Sequence, residues 1–148
     1  MYEEAKNLFD AAESSYSEAK SLLEREKYPE CVDKFHDTLE FAIKSLLILY
    51  NISYKKDHDV GGYLPLIIEK LKPDDPNFEL YSKIVLPPFV AIHSALAKIR
   101  NFSRYGYKGI PAKNIFNDGI AKAISIMIES NYPILKIWII DLLYKPQK

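Results

Sequence analysis

The sequence predicts an all-α protein, an up-and-down helical bundle of four main helices plus short extra helices. Three observations predict it. Apolar residues recur with helical period along nearly the whole chain. No β-alternation of useful length is found. Only 5 of 148 residues are glycine, while Ile, Leu, Tyr and Lys abound. At this length one domain over residues 1–148 is expected, large enough to bury most of its apolar surface. A hydrophobic content of 48% with 27% charge excludes a disordered chain.

The first helix carries Ala5, Leu8, Ala12, Ser15, Ala19 and Leu22 on one face, with steps alternating between 3 and 4. Tyr28-Pro29 ends it, because proline disfavours an α conformation in the residue before it, and Pro29 can open the next helix. That second helix repeats the spacing at Val32, Phe35, Leu39, Ala42, Leu46 and Leu49, and so short a turn sets the two antiparallel. A short third helix from about Val60 to Leu71 follows, capped by Asp57 or Asp59 and weakened at its start by Gly61 and Gly62. The fourth runs from about Asn77 to Arg104, and Pro87-Pro88 must kink or break it. A fifth spans about Ala112 to Ser130. Asn131-Tyr132-Pro133 is expected to separate it from a final apolar helix. The core is thus placed at about residues 2–130, with an apolar extension at about 133–145.

In that extension, nine of the 11 residues from Ile134 to Tyr144 are apolar. The run is too short to span a bilayer and holds Lys136 and Asp141, so no membrane contact is expected. A helix without a polar face caps a core or enters an interface; the reading favours an interface, probed at Trp138.

Net charge is zero, but its distribution is uneven. Residues 1–50 hold 11 acids and 6 bases, whereas residues 83–122 hold 7 bases and the single acid Asp118. Either an acidic helix packs beside a basic one, or the basic segment is a phosphate-binding face. Cys31 is alone, which excludes an intramolecular disulfide and a cysteine-rich metal site. The acidic, amphipathic first residues do not resemble a targeting peptide, and a cytoplasmic location is expected. There is no nucleotide-binding glycine loop, zinc spacing or calcium loop, so no cofactor and no metal are expected. His36 and His93 read as half-buried helix residues.

Two patterns remain. Glu40 and Lys44, four apart on the second helix, would ordinarily be a solvated surface pair. Arg100 and Arg104, also four apart, precede Tyr105 and Tyr107 in "RNFSRYGY". Arginine forks match phosphate oxygens and tyrosines can stack on bases. A basic final turn on the helix dipole would give the same letters.

The order of these pieces resembles the HEPN family (higher eukaryote and prokaryote nucleotide-binding domains). An acidic first helix is followed by Glu40-x-x-x-Lys44 and the apolar "SLLILY", then "DHD" with His58 and Asp59, then a long helix ending in arginines and an aromatic. The resemblance covers roughly residues 2–130. In the family's ribonuclease branch the last motif is Arg, four to six residues, then His, often with a trailing Tyr. Here Arg100 matches the arginine, Tyr105 stands at the histidine and Tyr107 matches the trailing tyrosine. Tyrosine titrates near 10 and is a poor base at neutral pH, where histidine near 6.5 is a good one. His93, seven residues before Arg100, lies about 10 Å along the helix, too far to serve the same phosphate.

The resemblance therefore implies a non-catalytic protein that binds nucleotide or RNA in a cleft lined by Arg100, Arg104, Tyr105 and Tyr107, with Glu40, Lys44, His58 and Asp59 in support. It also implies a homodimer with the arginine helices facing each other. A separate minimal nucleotidyltransferase chain, as in toxin–antitoxin systems, is a further implied partner. The alternatives are a metal-independent endoribonuclease using Arg100 and Tyr105, and a purely structural assembly subunit.

Overall fold

In a computed structural model, described over residues 2–55 and 60–144, the chain is an all-α bundle. Its four main helices are α1 (Tyr2–Glu24), α2 (Tyr28–Leu49), α4 (Leu86–Tyr105) and α6 (Asp118–Tyr144). The short α3 (Pro65–Lys70) and α5 (Ala112–Ile115) sit in the connections. α2 is the central element, packed against α1, α4 and α6. Its Phe35, Leu39, Ala42, Ile43, Leu46 and Leu47 are fully buried.

The first two helices form the expected antiparallel hairpin. Glu26 takes a left-handed conformation at φ 60°, and the Lys27 amide donates to the Leu22 carbonyl at 2.9 Å, closing the end of α1. Pro29 then occupies the first turn of α2. The Ser45 hydroxyl donates to the Ala5 carbonyl at 2.7 Å and fastens the hairpin at its open end.

Pro87 and Pro88 neither break nor stop the fourth helix. Leu80–Val85 forms a π-helical stretch that runs directly into α4, so the two prolines fall in the first α-turn. The wider π-turn moves the preceding carbonyls away from the prolyl rings, which would otherwise collide with them.

Two expectations fail in the last third of the chain. Ala112–Ile115 is a separate short helix, and the helix expected from Ala112 begins only at Asp118. Pro133 does not separate two helices but lies inside the 27-residue α6, so the apolar extension at 133–145 is not a helix of its own. Packing is the reason. Ile124 and Ile128 before the proline, and Leu135, Ile139 and Leu143 after it, bury the same face. Pro133 itself is exposed, where water can reach the carbonyl it leaves unbonded.

The apolar run is therefore half of a longer helix. Leu80–Tyr105 and Asp118–Tyr144 are each long and apolar enough to cross a membrane, with mean hydropathy 1.3. In the bundle, 44% and 39% of the 18-residue apolar stretch within each of these helices is buried by protein.

A buried arginine–carboxylate ladder as the candidate functional site

The site is built where the C-terminal half of α4 lies antiparallel to the first half of α2. On α4, four-residue spacing sets Arg100 and Arg104 on one face. On α2 the same spacing sets Asp33 and Asp37 opposite them. The Arg100 Nη1 donates to Asp37 Oδ1 at 2.8 Å. Arg104 grips Asp33 with both prongs of its fork, Nε to Oδ1 at 3.0 Å and Nη2 to Oδ2 at 3.1 Å. Asp33 also stands 3.7 Å from Arg100.

Arg100 is buried, at 8% exposure. The same Nη1 lies 2.6 Å from His36 Nδ1. Because a guanidinium only donates, Nδ1 is the acceptor and the proton of a neutral ring sits on Nε2. Nε2 has no hydrogen-bond partner among the described residues. The His36 ring stacks on His93 with centroids 5.3 Å apart, and the Val60 amide donates to His93 Nε2 at 3.1 Å. Both histidines, expected half-buried, are fully buried. Burial would raise the Asp37 carboxyl, but the hydrogen bond and charge of Arg100 and the charge of Lys34 outweigh it and lower the pKa from 3.8 to about 2.

The expected cleft of Arg100, Arg104, Tyr105 and Tyr107 is thus divided. Arg100 belongs to the interior. Arg104 is bound to Asp33 at the rim, its side chain 38% exposed. Tyr105 is 81% exposed and Tyr107 45%, the latter packed on Phe102 at 4.7 Å. Beside Arg104 and Tyr105 opens a groove of about 490 Å³ whose charged lining is Glu18, Glu30 and Asp33 against Lys34 and Arg104. Three carboxylates against two cations do not make an anion site. The charge asymmetry of the sequence is explained here largely by an acidic helix packed beside a basic one.

Glu40 and Lys44 are not a solvated pair. Glu40 is 4% exposed, its Oε2 lies 3.6 Å from Lys44 Nζ, and that ammonium sits over the Tyr54 ring at 5.9 Å. His58 and Asp59 lie outside the described residues. Among the described residues no group of three or more His, Cys, Asp or Glu side chains could hold a metal.

A tight turn ends the motif. Tyr107 and Ile110 exchange backbone hydrogen bonds of 3.0 and 2.9 Å around Lys108-Gly109, both at positive φ. Gly106 leads into it at φ 75°, ψ −167°, a region open almost only to glycine. A Cβ there would collide with the Ile110 carbonyl. Gly106→Ala is expected to cost at least about 1–3 kcal/mol in denaturant melts. Unchanged stability would mean that the turn rearranges freely.

A family model for the HEPN domain matches residues 5–131. The chain belongs to the HEPN family. The chain has no match among curated proteins or solved structures. Arg100, Arg104, Tyr105 and Tyr107 all lie within the matched residues. Sequence reasoning missed Asp33, Asp37 and His36 as the partners of Arg100. One signal could have found two of them: Asp33-x-x-x-Asp37 and Arg100-x-x-x-Arg104 are complementary spacings on helices that must run antiparallel.

Proposed function

We propose that the chain is a non-catalytic HEPN domain that binds a nucleotide or single-stranded RNA at the tip of α4. Bases stack on Tyr105 and Tyr107, and phosphates meet Lys108 and Lys113, while Arg104 stays bound to Asp33 at the rim. The reading rests on one observation: the residue at the histidine position of the motif is a tyrosine, 81% exposed, while Arg100 is committed to Asp37. An exposed aromatic among cations suits stacking and phosphate contact without supplying a base at neutral pH. Residues 98–117 hold five Lys or Arg and no acid, which favours a phosphate backbone over an acidic partner peptide. A nucleotidyltransferase chain remains a partner in this proposal, to be sought by co-purification.

One contact favours the endoribonuclease reading: an imidazole, His36, does touch Arg100. It is 1% exposed, however, and a 2′-hydroxyl must reach the base that takes its proton.

Labelled single-stranded RNA incubated with the protein in EDTA tests both readings. Bound, uncut RNA is expected. With two phosphate contacts, log affinity should fall against log salt with a slope of about −1.4. Tyr105→Ala and Tyr107→Ala should each weaken binding by roughly tenfold, from the usual worth of a base–aromatic stack. Cleavage that depends on His36 would replace this reading with the nuclease one, and no binding at low salt would end it.

A further inference from the structure

The groove beside Arg104 and Tyr105 has a chemistry that stacking alone does not use. It holds about 490 Å³, a size typical of small-ligand sites. Its apolar lining is Leu22 and the ring of Tyr105, surfaces that suit the faces of a flat heterocycle. The rest of its lining is polar, and carboxylates outnumber cations there.

These carboxylates are not equally engaged. Both oxygens of Asp33 accept from Arg104, at 3.0 and 3.1 Å. Glu18 lies 3.6 Å from Lys34. Glu30, in the first turn of α2, is exposed and makes no side-chain hydrogen bond or ion pair among the described residues. Lys34 stands four residues on and so beside Glu30 on the helix. Its ammonium is nevertheless turned to Glu18 and to Asp37, the latter at 3.7 Å. The groove thus offers a ligand one open pair of acceptors.

We infer that this groove reads guanine, with Glu30 as the residue that selects it. The inference rests on the proposed stacking of a base on Tyr105. Its reason is the edge chemistry of the bases. An ionised carboxylate presents two parallel acceptors and no donor. Guanine sets N1–H beside N2–H on its Watson–Crick edge, two parallel donors. Adenine and cytosine set one amino donor beside a ring nitrogen that only accepts, and uracil flanks its N3–H with two carbonyls. Each of these three puts a lone pair against a carboxylate oxygen. In a single strand that edge is free to be read.

Charge divides a nucleotide in the same way. Tyr105 lines the acidic groove and directly precedes residues 106–113, which hold Lys108 and Lys113 and no acid. A neutral base rich in donors suits the groove, and its phosphate suits the lysines. The side chain of an arginine in a partner protein also presents two parallel donors, but its peptide would have to lie against the basic tip of α4.

Fluorescence anisotropy with labelled RNA hexamers tests this, one of them all uridine and the others carrying a single central guanosine, adenosine, cytidine or inosine. The guanosine hexamer is expected to bind at least about tenfold more tightly than the uridine one, the usual worth of a bidentate base contact. Inosine lacks the N2 amino group and should lose most of that gain. In Glu30→Gln one acceptor becomes a donor, and the ratio of guanosine to uridine affinity should fall to about one. GMP should displace the bound guanosine hexamer and UMP should not. Displacement by GMP as effective as by unlabelled hexamer makes the free nucleotide the ligand, and weaker displacement makes it RNA; both support guanine. Equal binding of all hexamers, preference for another base, or a guanosine preference that survives Glu30→Gln would overturn the inference and leave the stacking reading standing. No binding of any hexamer at low salt would end both. Displacement by a short arginine-containing peptide but not by GMP would assign the groove to a protein partner and overturn the inference as well.

Discussion

Asp37→Ala is expected to destabilise the bundle by about 3–5 kcal/mol, the usual cost of breaking a buried ion pair from one side. The substitution leaves the Arg100 guanidinium in the interior with His36 and the more distant Asp33, and arginine cannot escape by losing its proton. Denaturant melts should show a lowered midpoint at an unchanged slope. The pH dependence is a second signature. The folded-state pKa is depressed from 3.8 to about 2, so the stabilisation is complete above about pH 4 and disappears as pH falls toward 2. A shift of that size corresponds to roughly 2 kcal/mol across the window. In Asp37→Ala this segment of the stability–pH curve should flatten. An unchanged midpoint would mean that water already reaches Arg100. Replacing both partners, as in Asp37→Leu with Arg100→Leu, should recover part of the loss. Arg100→Ala is consequently a poor control for RNA binding, since lost binding could reflect lost structure. Tyr105 and Tyr107 are the safer positions.

Trp138→Ala should cost about as much, 3–5 kcal/mol for deleting a buried indole. Trp138 is 1% exposed. Its ring stacks on Tyr81 at 4.1 Å, meets the edge of Tyr50 at 6.0 Å, and its Nε1 donates to the Tyr50 hydroxyl at 2.9 Å. The indole therefore ties α6 to the end of α2 and to the π-helical entry of α4. It belongs to the core, and the sequence-based choice of Trp138 as an interface probe was one residue away from the exposed Ile137. Ile137→Ala should change monomer stability by no more than about 0.5 kcal/mol. Thermal melts of the two variants decide the matter. Equal effects would contradict the division of α6 into a buried and an exposed face.

Much of the fold was legible because it depends on local periodicity. The 3-and-4 spacing of Phe35, Leu39, Ala42 and Leu46 marks the inner face of α2 without reference to any other segment. Pro133 was misread because its consequence depends on what flanks it in space. A proline with bonded, buried turns on either side can be carried within a helix, and the letters "NYP" do not disclose that. The site was harder to read. Arg100 and Tyr105 could be found by motif, but whether an arginine serves a ligand or a carboxylate is decided by the opposing helix. Asp33 and Asp37 had been counted only as part of an acidic region. The burial of Glu40 and of both histidines likewise follows from α2 being the central helix, with neighbours on several sides.

The two rungs between α2 and α4 also constrain how these helices can be aligned. An apolar seam of helical period accepts more than one alignment, since sliding by a turn or two again sets greasy positions against each other. The charges do not accept it. Moving α4 by one turn along α2 would leave one arginine facing one aspartate, with the other arginine and the other aspartate stranded. Only the native alignment satisfies all four. In this molecule the two arginines form a two-digit address, read by the chain's own aspartates, that tells one helix where along another it must stop.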